Sequence, residues 1–287
     1  MNLSMRGIVK SFGANDVLKA VDFSLGEGEI CALLGENGAG KSTLMNILGG
    51  VIPADSGTIE LDGRPVAFEN PSQSLHAGIA FIHQELNLIN DLPVYENMFI
   101  GRELKTRFGL IDHKRMIEET RKLFDRMGLE IDPRAMVSSL DASYKQIVEI
   151  SRALMMNASI IIMDEPTTSL TEPEIKRVFD MLRALRAQKV GVVFISHKLR
   201  EVMEICDRYT VLRDGVMVSS GFVRDATIAG IARDMVGHEV RTEPLNRRAQ
   251  LGEEVLRLEN MALAPYYKNV SLSVRAGEVL GVTGLLG

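Results

Sequence analysis

Apolar residues in this chain follow two rhythms. Continuous apolar runs occupy residues 29–34, 79–82, 160–163, 190–195 and 209–212. Runs of this length without alternation suit strands buried on both faces, as in a mainly parallel sheet. Between residues 82 and 160 the spacing becomes helical. Met116, Thr120, Leu123 and Met127, with Ile117 and Phe124 beside them, form one apolar face, opened by Asp112 as a cap and stopped by Gly128. A further helix follows residue 140, with Ile147, Ser151 and Leu154 on one face. The pattern predicts an α/β domain carrying a helical insertion over about residues 86–155.

The chain also repeats itself. Residues 19–38 align without gaps with residues 268–287, with identities at Lys19/Lys268, Val21/Val270, Ser24/Ser273, Gly28/Gly277, Glu29/Glu278, Gly35/Gly284 and Gly38/Gly287. The expected organisation is a first domain over residues 1–240, a linker over 241–254 and the start of a second copy over 255–287. The linker is rich in charge and turn formers, including Pro244 and Asn246. Because the repeat stops inside its own loop at Gly287, a truncated second copy is expected. Its two strands would leave sheet edges uncovered and be poorly stabilised unless packed on the first domain.

Composition narrows the partners. The 287 residues are 46% hydrophobic and 25% charged, enough for a large core, and the formal charge of −5 offers no attraction to nucleic acid. No apolar run approaches the roughly 20 residues that cross a bilayer, so any membrane link is expected to run through another protein. Without a long apolar N-terminal stretch the chain is expected in the cytoplasm. Cys31 and Cys206 lie in apolar segments without metal-like spacing and read as reduced core thiols.

The chemistry concentrates at the run Gly35, Glu36, Asn37, Gly38, Ala39, Gly40, Lys41, Ser42, Thr43. A loop of the form G-x-x-x-x-G-K-[ST] turns backbone N–H groups toward phosphate oxygens, sends a lysine to the outer phosphates and offers a hydroxyl to Mg²⁺. Here Gly35, Gly40, Lys41 and Ser42 fill those places, after a strand and before a helix whose positive end faces the anion. A second element, the apolar run 160–163, ends in Asp164 and Glu165. Asp164 is placed to hold Mg²⁺ and Glu165 to orient or deprotonate an attacking water. The pair implies ATP and Mg²⁺ as cofactors.

Together these residues resemble the ATP-binding cassette family over nearly the whole chain. The resemblance implies a P-loop ATPase core with a mainly parallel sheet, an antiparallel β subdomain and an inserted helical subdomain. It also implies roles for Gln84, joining core to insertion and sensing Mg²⁺ and water, for His197, contacting the γ-phosphate, and for Phe12, stacking on adenine. Residues 164–171 and 92–97 resemble the tandem ATPases of bacterial simple-sugar importers of the ribose, galactose, xylose and allose type. Residues 207–211 and 236–239 are nearest the allose type. The implied partners are integral membrane permease subunits, a second cassette and, indirectly, a periplasmic sugar-binding protein. The implied place is peripheral, on the cytoplasmic face of the inner membrane, with residues 86–101 and the helical insertion as the docking surface.

One stretch departs from the family. Its Leu-Ser-Gly-Gly-Gln signature, which meets ATP held by the opposite cassette, is here Leu140, Asp141, Ala142, Ser143, Tyr144. Asp141 remains a good helix cap, but its carboxylate is expected to repel a nearby phosphate by several kcal/mol, and Ser143 to narrow the approach. Alternative readings are a soluble translation-factor-like tandem ATPase, an exporter or lipid transporter, and an ATP-binding fragment without turnover. The first of these usually carries Asn-His-Leu-Asp where this chain has Thr168, Ser169, Leu170, Thr171.

Overall fold

The computed structural model describes residues 1–83, 85–237 and 251–282. The chain divides into two units, Met1–Val240 and Arg241–Gly287, each with its own contacts.

The first unit opens with β1 (Leu3–Phe12) and β2 (Asn15–Leu25), followed by β3 (Ile30–Leu34), α1 (Lys41–Leu48), β4 (Ser56–Leu61) and β5 (Arg64–Val66). Next come α2 (Pro71–His76), β6 (Ile79–Ile82), then α3 (Val94–Phe99), α4 (His113–Met127) and α5 (Ala142–Met155). The chain returns through β7 (Ile160–Asp164), α6 (Glu172–Ala187), β8 (Gly191–Ile195), α7 (Leu199–Ile205), β9 (Arg208–Arg213), β10 (Val216–Phe222) and α8 (Ile228–Val236).

Six strands form the central sheet in the order β10-β9-β3-β8-β7-β6, parallel except for β10. Each parallel strand splits its side chains between two cores. From β3, Ile30, Ala32 and Leu34 enter the core that continues into α5, α6 and the helical insertion; Cys31 and Leu33 enter the core beneath α1. From β7, Ile161 and Met163 go one way, Ile160 and Ile162 the other. This double burial is why these strands read as unbroken apolar runs. Both cysteines are free and buried; burial pushes the Cys31 thiol up to about 12 and Cys206 well above its usual value.

A four-stranded antiparallel sheet, β2-β1-β4-β5, accompanies the central one. The helical insertion sits between β6 and β7. Asp112 accepts from the Arg115 N–H at 3.0 Å to start α4, and Gly128, at φ 65°, ends it. The fold class expected from the sequence and the family resemblance is the one observed.

In the second unit β11 (Glu254–Leu263) and β12 (Tyr267–Arg275) form an antiparallel hairpin. Its pairs Leu256/Val274, Leu258/Leu272 and Met261/Val270 reproduce Leu3/Leu25, Met5/Phe23 and Ile8/Val21 of β1 and β2, with the register shift at the same step. Asn260 and Asn269 adopt positive φ, as Gly7 and Ala20 do at the matching positions. The Asn260 N–H donates to Ser271 Oγ at 2.9 Å where the Gly7 N–H donates to Asp22 Oδ1 at 2.7 Å. The repeat is thus one of backbone geometry as well as sequence. Residues 241–250 of the expected linker, and Gly284 and Gly287 of the repeated loop, lie outside the described residues.

Candidate nucleotide site

The C-terminal end of β3 turns directly into the loop that precedes α1. Gly35, Ala39 and Gly40 are buried, whereas Glu36, Asn37 and Gly38 form an exposed crown. Gly35 and Gly40 have φ of 148° and 103°; a Cβ at Gly35 would stand 2.2 Å from the Leu212 carbonyl oxygen, and one at Gly40 2.7 Å from Leu18 Cδ2. The backbone therefore runs where no side chain fits. The N–H groups of Lys41, Ser42 and Thr43 open α1 and have no partner within it, giving an anion cradle. Lys41 Nζ donates to the carbonyls of Gly35 and Glu36 at 2.8 and 3.0 Å, folded across the loop mouth. Burial holds the Lys41 ammonium below its usual range, while Asp164 and Glu165 oppose that shift.

Asp164 ends β7 and pairs with Ile195 at the end of β8. Burial pushes its carboxyl up, the charge of Glu165 adds to this, and Lys41 counters it. Glu165 turns off the strand with φ of 46°, its N–H bonded to the Ile195 carbonyl at 2.9 Å. A left-handed glutamate is a strained conformation of the kind that clusters at functional sites. His197, from the loop after β8, donates through Nδ1 to Glu165 Oε1 at 2.8 Å, and the Thr168 hydroxyl donates to Oε2 at 3.0 Å. Burial pushes the Glu165 carboxyl up, but the hydrogen bonds from His197 and Thr168 outweigh it and leave the group below its ordinary value. His197→Ala is therefore expected to raise the Glu165 pKa and move the acid limb of the pH–rate profile to higher pH, as a kcat series across pH would measure.

Lys41, Asp164, Glu165 and His197 thus gather at the carboxyl ends of β3, β7 and β8, the edge where open α/β sheets place ligands. Ser42 is exposed at the start of α1. Phe12 is 51% exposed at the end of β1, with Lys10 Nζ 5.4 Å from its ring centre, so it is not a core residue. Gln84 lies outside the described residues; its neighbour His83 stacks on Phe81 with ring centres 5.5 Å apart.

The structure adds partners that sequence spacing did not reveal. Besides Thr168, Lys198 Nζ donates to the Thr167 carbonyl at 2.8 Å and pairs with Glu201, which also accepts from the Thr167 hydroxyl. This network holds the turn that carries Glu165.

At the signature stretch the Asp141 carboxylate is partnered on three sides. Asp141 caps α5 through the Tyr144 N–H at 2.9 Å, and accepts from the Ser143 hydroxyl at 2.7 Å and from Arg177 Nη1 at 2.9 Å. Arg177, on α6, also lies over the Tyr144 ring at 4.8 Å. Burial raises the Asp141 carboxyl but these bonds lower it overall, so it is ionised with a counter-charge beside it. Both partners are about a third exposed, so the pair adds little stability, but it cancels most of the charge that a phosphate would meet. Ser143 is fully buried, with its hydroxyl turned to Asp141.

Comparison with known proteins places this geometry. The model of the family described as ABC transporter matches residues 18–168. The chain is 44% identical over its full length to the ribose import ATP-binding protein RbsA of Oceanobacillus iheyensis, and 47% identical to that of Chromobacterium violaceum. It spans 58% and 57% of those two proteins. These relatives carry the ribose name, whereas residues 207–211 had pointed to the allose type. Among solved structures, the ADP conformation of MJ1267, an ATP-binding cassette of an ABC transporter, superposes with a TM-score of 0.72 at 25% identity, covering 83% of this chain and all of that one. The phosphate loop, the strand-end carboxylates and these likenesses agree, and the chain belongs to the ABC transporter family.

Proposed function

We propose that this chain binds ATP with Mg²⁺ at residues 35–43 and hydrolyses it, and that the whole protein uses this reaction to energise import of a monosaccharide through membrane permease subunits. The observation that carries the reading is the convergence of Lys41, Asp164, Glu165 and His197 on one edge of the sheet, with Glu165 held ionised.

The residues fit their assigned roles. The cradle of N–H groups at α1 receives phosphate oxygens, and Lys41 exchanges its two loop carbonyls for them, a ready swap because its ammonium is already partly desolvated. Ser42 and Asp164 would hold the metal, with Gln84 assigned by resemblance; burial raises the Asp164 carboxyl, which favours a cation at its side. Bound Mg²⁺ supplies neutralisation of phosphate charge. Glu165 orients the attacking water and accepts its proton, while His197 fixes the carboxylate from the other side.

Residues 255–287 are read as the start of a second cassette, whose signature would complete the site on this chain. The sugar-import part rests on relatives whose names say ribose import, and on the absence of any helix, among the described residues, long and apolar enough to cross a membrane. A peripheral place on the cytoplasmic face, beneath the permease and served indirectly by a periplasmic sugar-binding protein, follows from that reading. Turnover by the full-length protein assembled with its permease in lipid discs should rise severalfold on adding sugar-loaded binding protein. Turnover indifferent to that protein and to sugar would remove the import assignment and leave the ATPase standing.

A further inference from the structure

Between α3 and α4 the chain forms a small hairpin at residues 105–111, with Lys105 and Ile111 paired as an antiparallel bridge. The Thr106 N–H donates to the Leu110 carbonyl at 2.8 Å and the Gly109 N–H to the Thr106 carbonyl at 2.9 Å, while Gly109 at φ 80° closes the turn. At the base the Asp112 N–H donates to the Leu104 carbonyl at 2.7 Å. The backbone is thus tied, yet its apolar side chains face water: Phe108 is 75% exposed, Leu110 70% and Ile111 46%. Large apolar groups clustered on a hydrogen-bonded turn differ from scattered surface hydrophobics, because the fold holds them out together instead of burying them.

The charges around this tip are one-sided. Residues 102–115 hold five basic side chains and two acidic ones, in a chain whose formal charge is −5. Lys105, Arg107, Lys114 and Arg115 are exposed and form no ion pair among the described residues, and the following acids of α4, Glu118 and Glu119, are taken by Lys122. The two acids of the stretch are turned to the backbone: Glu103 Oε1 accepts from the Gly101 N–H at 2.9 Å, and Asp112 Oδ1 from the Arg115 N–H at 3.0 Å. Arg107 lies over the Phe108 ring at 4.6 Å, so cation and aromatic ring stand side by side at the tip. The turn's backbone donors are spent internally, which leaves apolar bulk and free positive charge as what it offers a partner. That pairing matches a surface apolar within and anionic at its boundary, the profile of an anionic lipid leaflet.

We propose that residues 105–111 dip into an anionic membrane leaflet, with Phe108 and Leu110 at the acyl-chain boundary and Lys105, Arg107, Lys114 and Arg115 among the lipid phosphates. The inference rests on the peripheral placement proposed above and adds a direct lipid contact to one that otherwise runs through the permease alone. Insertion is shallow, because charged side chains flank the apolar tip on both sides. The chain's overall negative charge opposes an anionic surface, so the attraction comes from this patch and is screened by salt.

The test floats the full-length protein, without its permease, on vesicles of phosphatidylcholine alone or with about a third phosphatidylglycerol. The wild type is expected to bind the anionic vesicles at least about fivefold better than the neutral ones, and to lose that preference at about 0.5 M salt. Phe108→Ser combined with Leu110→Ser, and separately Lys105→Glu combined with Arg107→Glu, are each expected to weaken anionic-vesicle binding at least about fivefold. MgATP affinity and melting temperature should stay as in the wild type, because all four side chains are exposed. The emission that Phe108→Trp adds to the wild-type spectrum should shift to the blue on anionic vesicles and be quenched by brominated acyl chains. Wild-type protein without preference for anionic vesicles, a doubly serine-substituted variant that binds them like the wild type, or Phe108→Trp emission indifferent to brominated lipid would each overturn the proposal. A serine variant that keeps vesicle binding but loses affinity for the permease would overturn it too, by making the tip a protein contact. The import reading fails by a separate result, turnover indifferent to sugar and binding protein, and stands if vesicle binding is absent.

Discussion

Glu165→Gln is expected to bind ATP as the wild type does and to turn it over roughly 10²–10⁴-fold more slowly, the usual contribution of a positioned general base. Glutamine keeps the size of the side chain; its oxygen can still accept from His197 while its NH₂ donates to the Thr168 hydroxyl, the two groups that lie 2.8 and 3.0 Å from the carboxylate oxygens. It cannot take a proton from water. The loss should therefore fall on kcat, with affinity little changed, because the cradle at Lys41–Thr43 is untouched. Single-turnover phosphate release beside equilibrium ATP binding separates the two quantities. Wild-type turnover in this variant would mean that another group accepts the proton.

Gly35→Ala is expected to lower stability by roughly 3 kcal/mol, a fall in melting temperature on the order of 6–12 °C for a domain of this size. Two costs coincide there. At φ of 148° an alanine is in a region that L side chains rarely adopt, and its Cβ would stand 2.2 Å from a carbonyl oxygen of β9, the strand paired with β3. Backbone cannot swing aside as a side chain would, so the loop or the sheet must shift and phosphate binding falls with stability. Gly38→Ala is the matched control: φ is 85° but nothing lies within 4 Å of the added methyl. Thermal melts of the two variants should separate conformational strain from collision.

These contrasts show which features the sequence carried and which needed three dimensions. The strands β3 and β6 to β9 were legible because both faces are buried, leaving no polar alternation to confuse them. The strands β1 and β2 were not, because register shifts and left-handed residues at Gly7 and Ala20 break the period of two; the antiparallel layer was expected only through the family resemblance. The same distinction runs through the site. Residues 35–43 form a contiguous pattern whose spacing is its geometry, and Asp164 and Glu165 follow from the end of a strand. Thr168 was visible as a letter but not as a donor to Glu165, since that depends on a left-handed turn. Asp141 reads as a repelling charge until Arg177, 36 positions later on a different helix, is seen to neutralise it.

The central claim is that residues 35–43 bind the nucleotide and Lys41 secures its phosphates. Calorimetric titration of the full-length protein with MgATP, in wild type and Lys41→Ala, tests it most directly. The geometry predicts that Lys41→Ala abolishes binding at this loop, at least a hundredfold loss of affinity, with a melting temperature close to wild type because, among the described residues, Lys41 Nζ hydrogen-bonds only to two loop carbonyls. A folded Lys41→Ala variant that binds as many equivalents of MgATP as the wild type, with the same affinity, would contradict the account.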